Sequence, residues 1–418
     1  MLRARLNREL LIVLLSLAVQ VPLALFLGHY YDDRVFMATG YLVNSGLDPY
    51  KQYDFAGVFS SPLFVGVIPR IGYPPPWPLV LGLVYRFSFG VLPNLFFYNF
   101  AIKVPVILGN VGLAYLVRNV LRKSNASEKR AQAAWLFLLF NPFVLLTTSA
   151  WGQFDTVVAL LCVASLYFLS RDKIELTGLS LGVAVALKPV ALPLVGLPFL
   201  FSATRYQPQK NLRYLLVIAA VVLTCYLVPF YLLGWTLPLA SSEWNAHFTM
   251  AGGMSLFSFL EIFQGSLSLP SALDVLGYLW VPALLVGYYF VYRNRPTSMA
   301  DLTRKAVGVT LIFFLTRSWL SEPNVNLVLP LMLLAVESDM MNFRSFHFAW
   351  IIPLVFMFPN TSFPQLFFLV HPSIPLDLQA LDQQIRVARL IARFLVVVFW
   401  QIFAWLVVVK TLRRKATA

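Results

Sequence analysis

Long runs of apolar residues alternate with short polar segments along the whole chain. The first run, Leu10–Leu27, contains no charged residue, and similar runs recur as far as residues 387–410. A helix needs about 20 such residues to cross the hydrocarbon core of a bilayer. The pattern therefore predicts an all-α polytopic membrane protein with about 10–12 transmembrane helices.

The predicted spans are residues 10–28, 95–117, 131–149, 155–170, 177–187, 190–201, 212–233, 272–292, 304–320, 324–337, 345–358 and 387–410. Two of them, 177–187 and 190–201, are each too short to cross a bilayer, and the sequence "LKP" (Leu187–Pro189) separates them. Irregular backbone at membrane depth is tolerated only where protein or a wet cavity covers it. We therefore predict a broken pair of half-helices, or a kinked hairpin, with Lys188 at its apex.

The composition supports a membrane protein. Hydrophobic residues make up 59% of the chain and charged residues 12%, whereas about a quarter of a soluble domain is charged. Cys162 and Cys225 both lie within apolar runs, so we predict no disulfide framework.

Basic residues cluster in the segments between apolar runs, from Arg3–Arg8 at one end of the chain to Lys410–Lys415 at the other. This is the positive-inside pattern, and it predicts cytosolic N- and C-termini. It also accounts for the net charge of +14 without a nucleic-acid partner. Basic residues before the first run, with no small-x-small cleavage site after it, predict an uncleaved signal-anchor helix. The sequence leaves open whether the membrane is a plasma membrane or endoplasmic reticulum.

The chain is predicted to form one membrane-embedded domain over residues 1–418. Its outer loops are expected at 29–94, 234–271 and 359–386. The first loop is rich in proline and aromatic residues, which suits short helices lying in the membrane interface. Acidic residues fall mainly on this outer side, so we expect an acidic outer vestibule.

Asp32 and Asp33 stand where the chain leaves its first apolar run. An ionised carboxylate costs a few kcal/mol at the bilayer centre and still loses some hydration at the rim. The pair is either solvated loop beside an aromatic belt or a reactive group. Position alone does not decide between these readings.

The segment "WGQFD" (Trp151–Asp155) begins another predicted span. Asp155 can cap that helix and favour its dipole. Gln153 and Trp151 suit sugar binding, but both also suit an ordinary membrane interface. The functional and structural interpretations remain open for all three residues.

Lys188 lies inside an apolar stretch, where a lysine costs roughly 2.5–3.5 kcal/mol on insertion scales. Its side chain either snorkels towards water or meets a partner, and its midpoint position favours an anion or a carboxylate. Arg317 and Glu322 flank the outer end of another span and form either a local pair or a contact with an anionic ligand. Glu243 and His247, in the loop at 234–271, are weaker candidates.

Outer carboxylates combined with cations at membrane depth suit the transfer of a group from a lipid-bound phosphate. A phosphate leaving group needs positive charge as its bond breaks, which Lys188 and Arg317 could supply. An attacking sugar hydroxyl needs a positioned carboxylate to take its proton. The sequence contains no zinc-ligand spacing, P-loop, dinucleotide fingerprint or nucleophile elbow, so an ATP-driven or redox function is not expected.

Three blocks of the sequence resemble the GT-C class of polytopic glycosyltransferases, and within it the first mannosyltransferase of GPI-anchor synthesis and its relatives. The blocks are Asp32, Phe36, Gly46, Pro49, Tyr50 and Tyr73-Pro74; then "GQFD" with "GLSLGVAVALKP" (Gly178–Pro189); then "SEPNVNLVLPLML" (Ser321–Leu333). The third block often carries a His-Glu pair in that class, and this chain has Ser321-Glu322 instead.

The resemblance implies an inverting transfer of a sugar, mannose in the nearest relatives. The donor would be a polyprenyl phosphate, such as dolichyl phosphate mannose, and the acceptor a glycolipid or glycan at the outer or lumenal face. Asp32 would be the catalytic base and Asp33 a second acid, while Lys188 and Arg317 would bind the donor phosphate. The residues expected to contact sugar or acceptor are Gln153, Asp155, Tyr73, Glu243, His247 and Glu322.

The resemblance leaves metal dependence open. The GPI enzyme has an Asp-x-Asp sequence where this chain has adjacent aspartates, so we expect no required cofactor and leave a divalent metal undecided. A partner subunit is also undecided.

The alternative from another class is a lipid or sugar transporter or flippase. Transporters tend to show internal repeats and broken helices in matched halves, whereas this chain shows one broken pair, and its acidic groups concentrate at one face.

Overall fold

The computed structural model describes residues 2–59, 68–124, 126–202, 208–237, 250–264, 271–337 and 341–413. The chain is 77% helical. Within the described ranges, six helices are long and apolar enough to cross a membrane: Asn7–Phe26, Leu95–Lys123, Glu128–Ala150, Pro208–Leu233, Asp274–Arg293 and Ile374–Arg413. Five apolar helices are shorter: Asp155–Leu169, Ile174–Leu187, Pro189–Ser202, Glu322–Val336 and Phe343–Phe356. These helices confirm the predicted all-α polytopic membrane fold.

In chain order the helices are α1 (Leu2–Phe26), α2 (Tyr30–Asn44), α3 (Pro76–Phe87), α4 (Leu95–Lys123), α5 (Glu128–Phe140), α6 (Pro142–Leu145), α7 (Asp155–Leu169), α8 (Ile174–Leu187), α9 (Gly196–Ser202), α10 (Pro208–Leu233), α11 (Leu260–Gln264), α12 (Trp280–Arg293), α13 (Met299–Thr316), α14 (Val325–Glu337), α15 (Phe343–Phe356), α16 (Ser362–Gln365) and α17 (Ile374–Arg413). Short 3₁₀ segments cover Pro189–Leu194, Leu256–Phe259, Ser271–Tyr278 and Glu322–Asn324, and a π-helical turn covers Leu146–Ala150.

The predicted span at 131–149 is divided into pieces. Helix α5 ends at Phe140 because Pro142 has no backbone N–H to donate, and the Asn141 side chain accepts the Val144 N–H to start α6. The π turn Leu146–Ala150 follows directly. Trp151 and Gln153 follow directly after these breaks. The apolar pattern alone did not predict the breaks.

The backbone also breaks at Lys188. Helix α8 ends at Leu187, and Lys188 is extended (φ −154°, ψ 115°) before the 3₁₀ segment Pro189–Leu194. A residue before proline is disfavoured in the helical region, so Pro189 accounts for the break. The Lys188 side chain is therefore presented from a bend between two helical segments.

The outer loop predicted after α1 contains two helices, α2 and α3, which pack against each other. Phe36 on α2 meets Trp77 on α3 edge to face, with ring centroids 5.9 Å apart. Gly40 permits this approach, since a Cβ there would lie 2.9 Å from the Leu81 carbonyl oxygen. The packing fixes the orientation of α2 and of the aspartates at its start.

A two-stranded parallel sheet joins two of the other connecting segments. Strand β1 (Gly252–Gly253) pairs with β2 (Trp319–Leu320). Helix α13 ends at Thr316 and the chain enters β2 shortly afterwards, so the helix begins earlier and ends earlier than the span predicted at 304–320. The pairing holds the segment that follows Arg317.

Candidate functional site

Asp32 lies in the first turn of α2 and is held through one carboxylate oxygen. Its Oδ2 accepts hydrogen bonds from Trp151 Nε1 at 2.5 Å and from Gln153 Nε2 at 2.9 Å. His29 Nδ1 lies 3.3 Å from the same oxygen, and the His29 ring stacks on Trp151 with centroids 4.1 Å apart. The other oxygen, Oδ1, has no hydrogen-bond partner in the described part of the chain. Asp32 thus combines a fixed orientation with a lone pair available to a substrate.

The surroundings of Asp32 favour its ionised form. Burial raises the pKa of the Asp32 carboxyl, but the neighbouring His29 and the N–H donors of Trp151 and Gln153 together lower it below its usual value of 3.8. Hydrogen bonds and positive charge directed at a carboxylate stabilise the charged form. Asp32 is therefore ionised at neutral pH and able to accept a proton.

Gln153 connects Asp32 to Lys188. While its amide nitrogen donates to Asp32, its Oε1 accepts from the Tyr73 hydroxyl at 3.2 Å and lies 3.4 Å from Lys188 Nζ. The Lys188 ammonium also lies 5.2 Å from the centre of the Tyr73 ring. The structure therefore brings together four of the residues predicted from sequence: Asp32, Tyr73, Gln153 and Lys188.

Asp155 is the partner of Lys188. Its Oδ2 lies 2.8 Å from Lys188 Nζ, and its Oδ1 accepts from Asn324 Nδ2 at 2.9 Å. Asp155 is the first residue of α7, yet its carboxylate binds these two side chains, and Phe154 stands at the N-cap position. Of the two fates considered for Lys188, the structure shows a carboxylate partner.

A cavity of 210 Å³ lies beside this network. It is called the donor cavity here, after the role proposed for it below. Its lining includes the side chains of Tyr73, Lys188 and Asn324, together with Arg317. The rest of its wall is mainly apolar or aromatic: Gly72, Pro74, Pro189, Val190, Leu192, Trp280, Phe313, Trp319 and Ser321. A pocket of this kind suits a ligand with a charged head and an apolar body.

Arg317 has no ion-pair partner within the described ranges of the chain. Its guanidinium lies 5.2 Å from the centre of the Phe313 ring. The local pair with Glu322, one of the two arrangements considered from sequence, is not formed. No carboxylate of the described residues therefore compensates the positive charge that Arg317 brings to the donor cavity.

Glu322 lies outside the lining of the donor cavity. It is buried, and its Oε1 accepts from Asn360 Nδ2 at 2.8 Å and from Ser362 Oγ at 2.7 Å. These bonds fasten the loop after α15 to the start of α14. Glu243 and His247, the two other candidates, lie outside the described residues.

The "LDPY" sequence of the first loop supports Tyr73. The Tyr50 hydroxyl donates to the Tyr73 carbonyl oxygen at 2.9 Å. Asp48 Oδ2 accepts from both the backbone N–H and the hydroxyl of Thr236, at 2.8 and 2.7 Å. Tyr50, one of the residues on which the family resemblance rests, therefore helps to hold Tyr73 in position.

Asp33 occupies a different environment from Asp32. It is buried, and neither carboxylate oxygen has a hydrogen-bond partner among the described residues. Burial raises the pKa of Asp33 to about 7, although nearby Lys103 and His29 lower it in part. Asp33 also packs against Gly28, where a Cβ would lie 1.9 Å from its Oδ2. Asp33 is thus enclosed, and neither aspartate is among the residues that line the donor cavity.

Sequence reasoning missed Lys103, Asn99, His29 and Asn324. Lys103 is fully buried in α4, and its ammonium donates to the carbonyl oxygens of Leu27 and Ala150. Asn99 donates to the carbonyl oxygens of Ala24 and Leu27, at 2.7 and 2.8 Å. Together they tie the end of α1 to the end of the π turn. The signal was available, since Lys103, like Lys188, is a lysine within an apolar run.

The described residues contain no group of three or more His, Cys, Asp or Glu side chains that could hold a metal ion. Asp32 and Asp33 are consecutive on a helix and point about 100° apart around its axis. They do not converge as a pair of metal ligands.

The profile of glycosyltransferase family 87 matches residues 72–341 of the chain, which is more than half of its length. The matched range includes Tyr73, Gln153, Asp155, Lys188 and Arg317, and it begins after Asp32. No curated protein matches the chain.

Proposed function

The chain belongs to glycosyltransferase family 87, and we propose that it transfers a sugar from a polyprenyl-phosphate donor to a glycolipid or glycan acceptor with inversion at the anomeric carbon. Mannose is the sugar favoured by the resemblance of the first loop. The family gives no support to the transporter or flippase alternative.

One observation carries the proposal: the Asp32 carboxylate is oriented by Trp151, has an oxygen without a partner among the described residues, and is linked through Gln153 to Lys188 at the donor cavity. The acceptor hydroxyl attacks the anomeric carbon while Asp32 Oδ1 takes its proton. The bond from that carbon to the phosphate oxygen breaks, and the phosphate leaves with the electron pair. One carboxylate suffices for this direct displacement, unlike the two of a retaining hydrolase.

Arg317 and Lys188 divide the task of binding the phosphate. Lys188 forms a pair with Asp155, so its charge is already compensated, while its ammonium has three donors and can offer one to a phosphate oxygen. Arg317 has no carboxylate partner in the described ranges and supplies the net positive charge. Its planar guanidinium can bind two phosphate oxygens at once.

An apolar groove of 340 Å³ between α9 and α12 suits the isoprenoid chain of the donor. Gly196, Phe199, Leu200, Leu285, Tyr288, Tyr289 and Tyr292 line it. Leu192 and Trp280, which line the donor cavity, lie close in sequence to residues of this groove. A lipid with its phosphate at Arg317 would then place its tail in the groove.

The proposal places this site on the outer or lumenal face. Basic residues cluster at the opposite ends of the helices, as they do in cytosolic segments. It requires no cofactor, because the developing charge on phosphate is met by Arg317 and Lys188. We expect chelation of divalent metal to leave the rate unchanged.

The direct test is turnover by the purified full chain with a panel of polyprenyl-phosphate sugars that differ only in the sugar. We expect transfer from at least one donor, with mannose preferred, and a product of inverted anomeric configuration by NMR. A product with retained configuration, or movement of donor across a bilayer without any glycosidic product, would contradict the proposal.

The phosphate assignment has its own test. Arg317→Gln and Lys188→Met should each weaken donor binding roughly tenfold or more, the usual scale for losing a charged hydrogen bond. Acceptor affinity should change little. Lys51→Gln, at an exposed lysine of the first loop, is the matched control, and equal loss of donor and acceptor binding would refute the assignment.

A further inference from the structure

A larger cavity of 420 Å³ lies at the end of the bundle opposite to Asp32, and it is called the basic cavity here. It opens between the C-terminal ends of α4, α7 and α14 and the first turn of α13. Its lining residues are Val120, Lys123, Ser124, Val163, Leu166, Tyr167, Ser170, Arg171, Met299, Ala300, Thr303 and Leu334. None of the twelve is acidic.

Two cations of the basic cavity converge on one phenol. Lys123 Nζ donates to the Tyr167 hydroxyl at 2.7 Å and lies 4.7 Å from the centre of its ring. The Arg171 guanidinium lies 5.7 Å from the same ring centre. Neither cation lies within 4 Å of a carboxylate in the part of the chain that the structure describes. Their charge is therefore not compensated within the cavity.

The acidic residue of α13 that stands between the lining residues Ala300 and Thr303 does not offset this charge. Asp301, in the first turn of α13, is buried and binds Arg304, with Lys305 Nζ 3.3 Å from its other oxygen. The Asp301 carboxylate is therefore engaged within α13 and is not directed at Lys123 or Arg171.

The floor of the basic cavity is apolar. Val163, Leu166 and Leu334 are buried there, beneath the exposed side chains of Lys123 and Arg171. An apolar floor under a cationic rim matches the boundary between the acyl region and the phosphate of a lipid. Basic pockets between transmembrane helices are known to bind acidic headgroups.

We propose that the basic cavity binds the phosphate ester of an anionic phospholipid, with Lys123 and Arg171 on the phosphate oxygens and the Tyr167 hydroxyl between them. This site is separate from the donor cavity, and the proposal does not depend on the sugar or the donor. The chemistry is that of a phosphate monoester or diester, and a soluble glycerol phosphate shares it.

The test is titration of the detergent-purified full chain with phosphatidylglycerol, phosphatidylcholine and glycerol 3-phosphate, read by native mass spectrometry. The wild-type chain should bind phosphatidylglycerol in preference to phosphatidylcholine. The double variant Lys123→Gln/Arg171→Gln should bind phosphatidylglycerol roughly tenfold more weakly, because each basic residue near a lipid phosphate contributes appreciably to the binding free energy. Lys129→Gln/Arg344→Gln removes two exposed charges from the same end of the bundle outside the basic cavity, and it should change the affinity less than twofold.

The three ligands separate the outcomes. Loss of phosphatidylglycerol binding in the first variant alone, without binding of glycerol 3-phosphate, supports a lipid headgroup site. Loss of binding of both ligands in that variant supports a phosphate site that also accepts soluble esters. Equal losses in the two variants, or no preference over phosphatidylcholine, overturn the proposal. An unchanged temperature of thermal unfolding in detergent verifies that each variant is folded.

Discussion

Asp32 and Asp33 are neighbours on the same turn of α2, and their surroundings are opposite. Asp32 faces Trp151 and Gln153, which donate to one of its oxygens, whereas Asp33 faces Gly28 with no hydrogen bond in the described ranges. The pKa of Asp32 lies below the usual value, and that of Asp33 rises to about 7. A carboxylate's chemistry here depends on which side of the helix it occupies.

Their surroundings suit Asp32 and Asp33 to different roles. The donors that orient Asp32 also keep it charged, which a proton acceptor requires. Asp33 is costly to ionise because burial removes its hydration and Lys103 compensates only in part. We therefore infer that Asp32 is the base of the proposed reaction and that Asp33 affects stability more than rate.

The largest effect expected is on catalysis. Asp32→Asn should lower kcat by about 10²–10⁴, the usual contribution of a general base, with donor affinity nearly unchanged. Asp33→Asn should lower kcat less than tenfold. Asp54→Asn, at an exposed aspartate of the same loop, is the control, and steady-state kinetics would measure all three. A larger loss from Asp33→Asn than from Asp32→Asn would reverse the assignment.

The next effect concerns stability against pH. Because burial raises the pKa of Asp33 from its usual value of 3.8 to about 7, the stability that its neutral form contributes is complete below about pH 4. It is lost as pH rises through about 7. Asparagine cannot ionise, so Asp33→Asn should stabilise the protein at pH 8.5 by up to about 4 kcal/mol and by nothing at pH 4. Thermal unfolding in detergent across this range checks it, and a pH-independent difference would contradict it.

A smaller effect is expected from the buried lysine beside Asp33. Lys103→Met should lower the free energy of unfolding by about 2–3 kcal/mol, since two buried carbonyl groups lose their donor. It also removes a positive charge that lowers the pKa of Asp33. At pH 8.5, Asp33→Asn should therefore stabilise the Lys103→Met background more than it stabilises the wild-type chain. Equal stabilisation of both backgrounds would show that the two residues are not coupled.

The smallest effect tests the support on the Asp32 side. Tyr50→Phe removes only the hydroxyl that donates to the Tyr73 carbonyl oxygen, and it should cost about 1 kcal/mol of stability. The rate should fall modestly, because Tyr73 binds Gln153 and not the reacting atoms. Tyr53→Phe in the same loop is the control. Unchanged stability and rate in Tyr50→Phe would show that the Tyr50 hydroxyl does not support Tyr73.

The helices could be predicted well from sequence, and several site contacts could not. Apolar periodicity located α7 and α8 closely, and Pro189 indicated the break at Lys188. The contact of Trp151 with Asp32 spans 119 residues of sequence, and local patterns carry no information about such a pairing. The same limit applies to Glu322, whose partner Asn360 lies 38 residues further along.

The π turn Leu146–Ala150 has a consequence for how this chain tolerates insertions and deletions. The Trp151 N–H donates to the Leu146 carbonyl oxygen at 2.8 Å, five residues back, so the turn contains one residue more than an α-helix would use. Removing one residue between 146 and 150 would leave an ordinary α-helical turn, whereas adding one would rotate everything beyond by about 100°. Trp151 and Gln153 would then face away from Asp32. Insertion at these five positions should therefore be as damaging as loss of the carboxylate itself. The side chains of the turn are constrained as well, because Ser149 donates to Gln20 and Asn326 donates to Thr147.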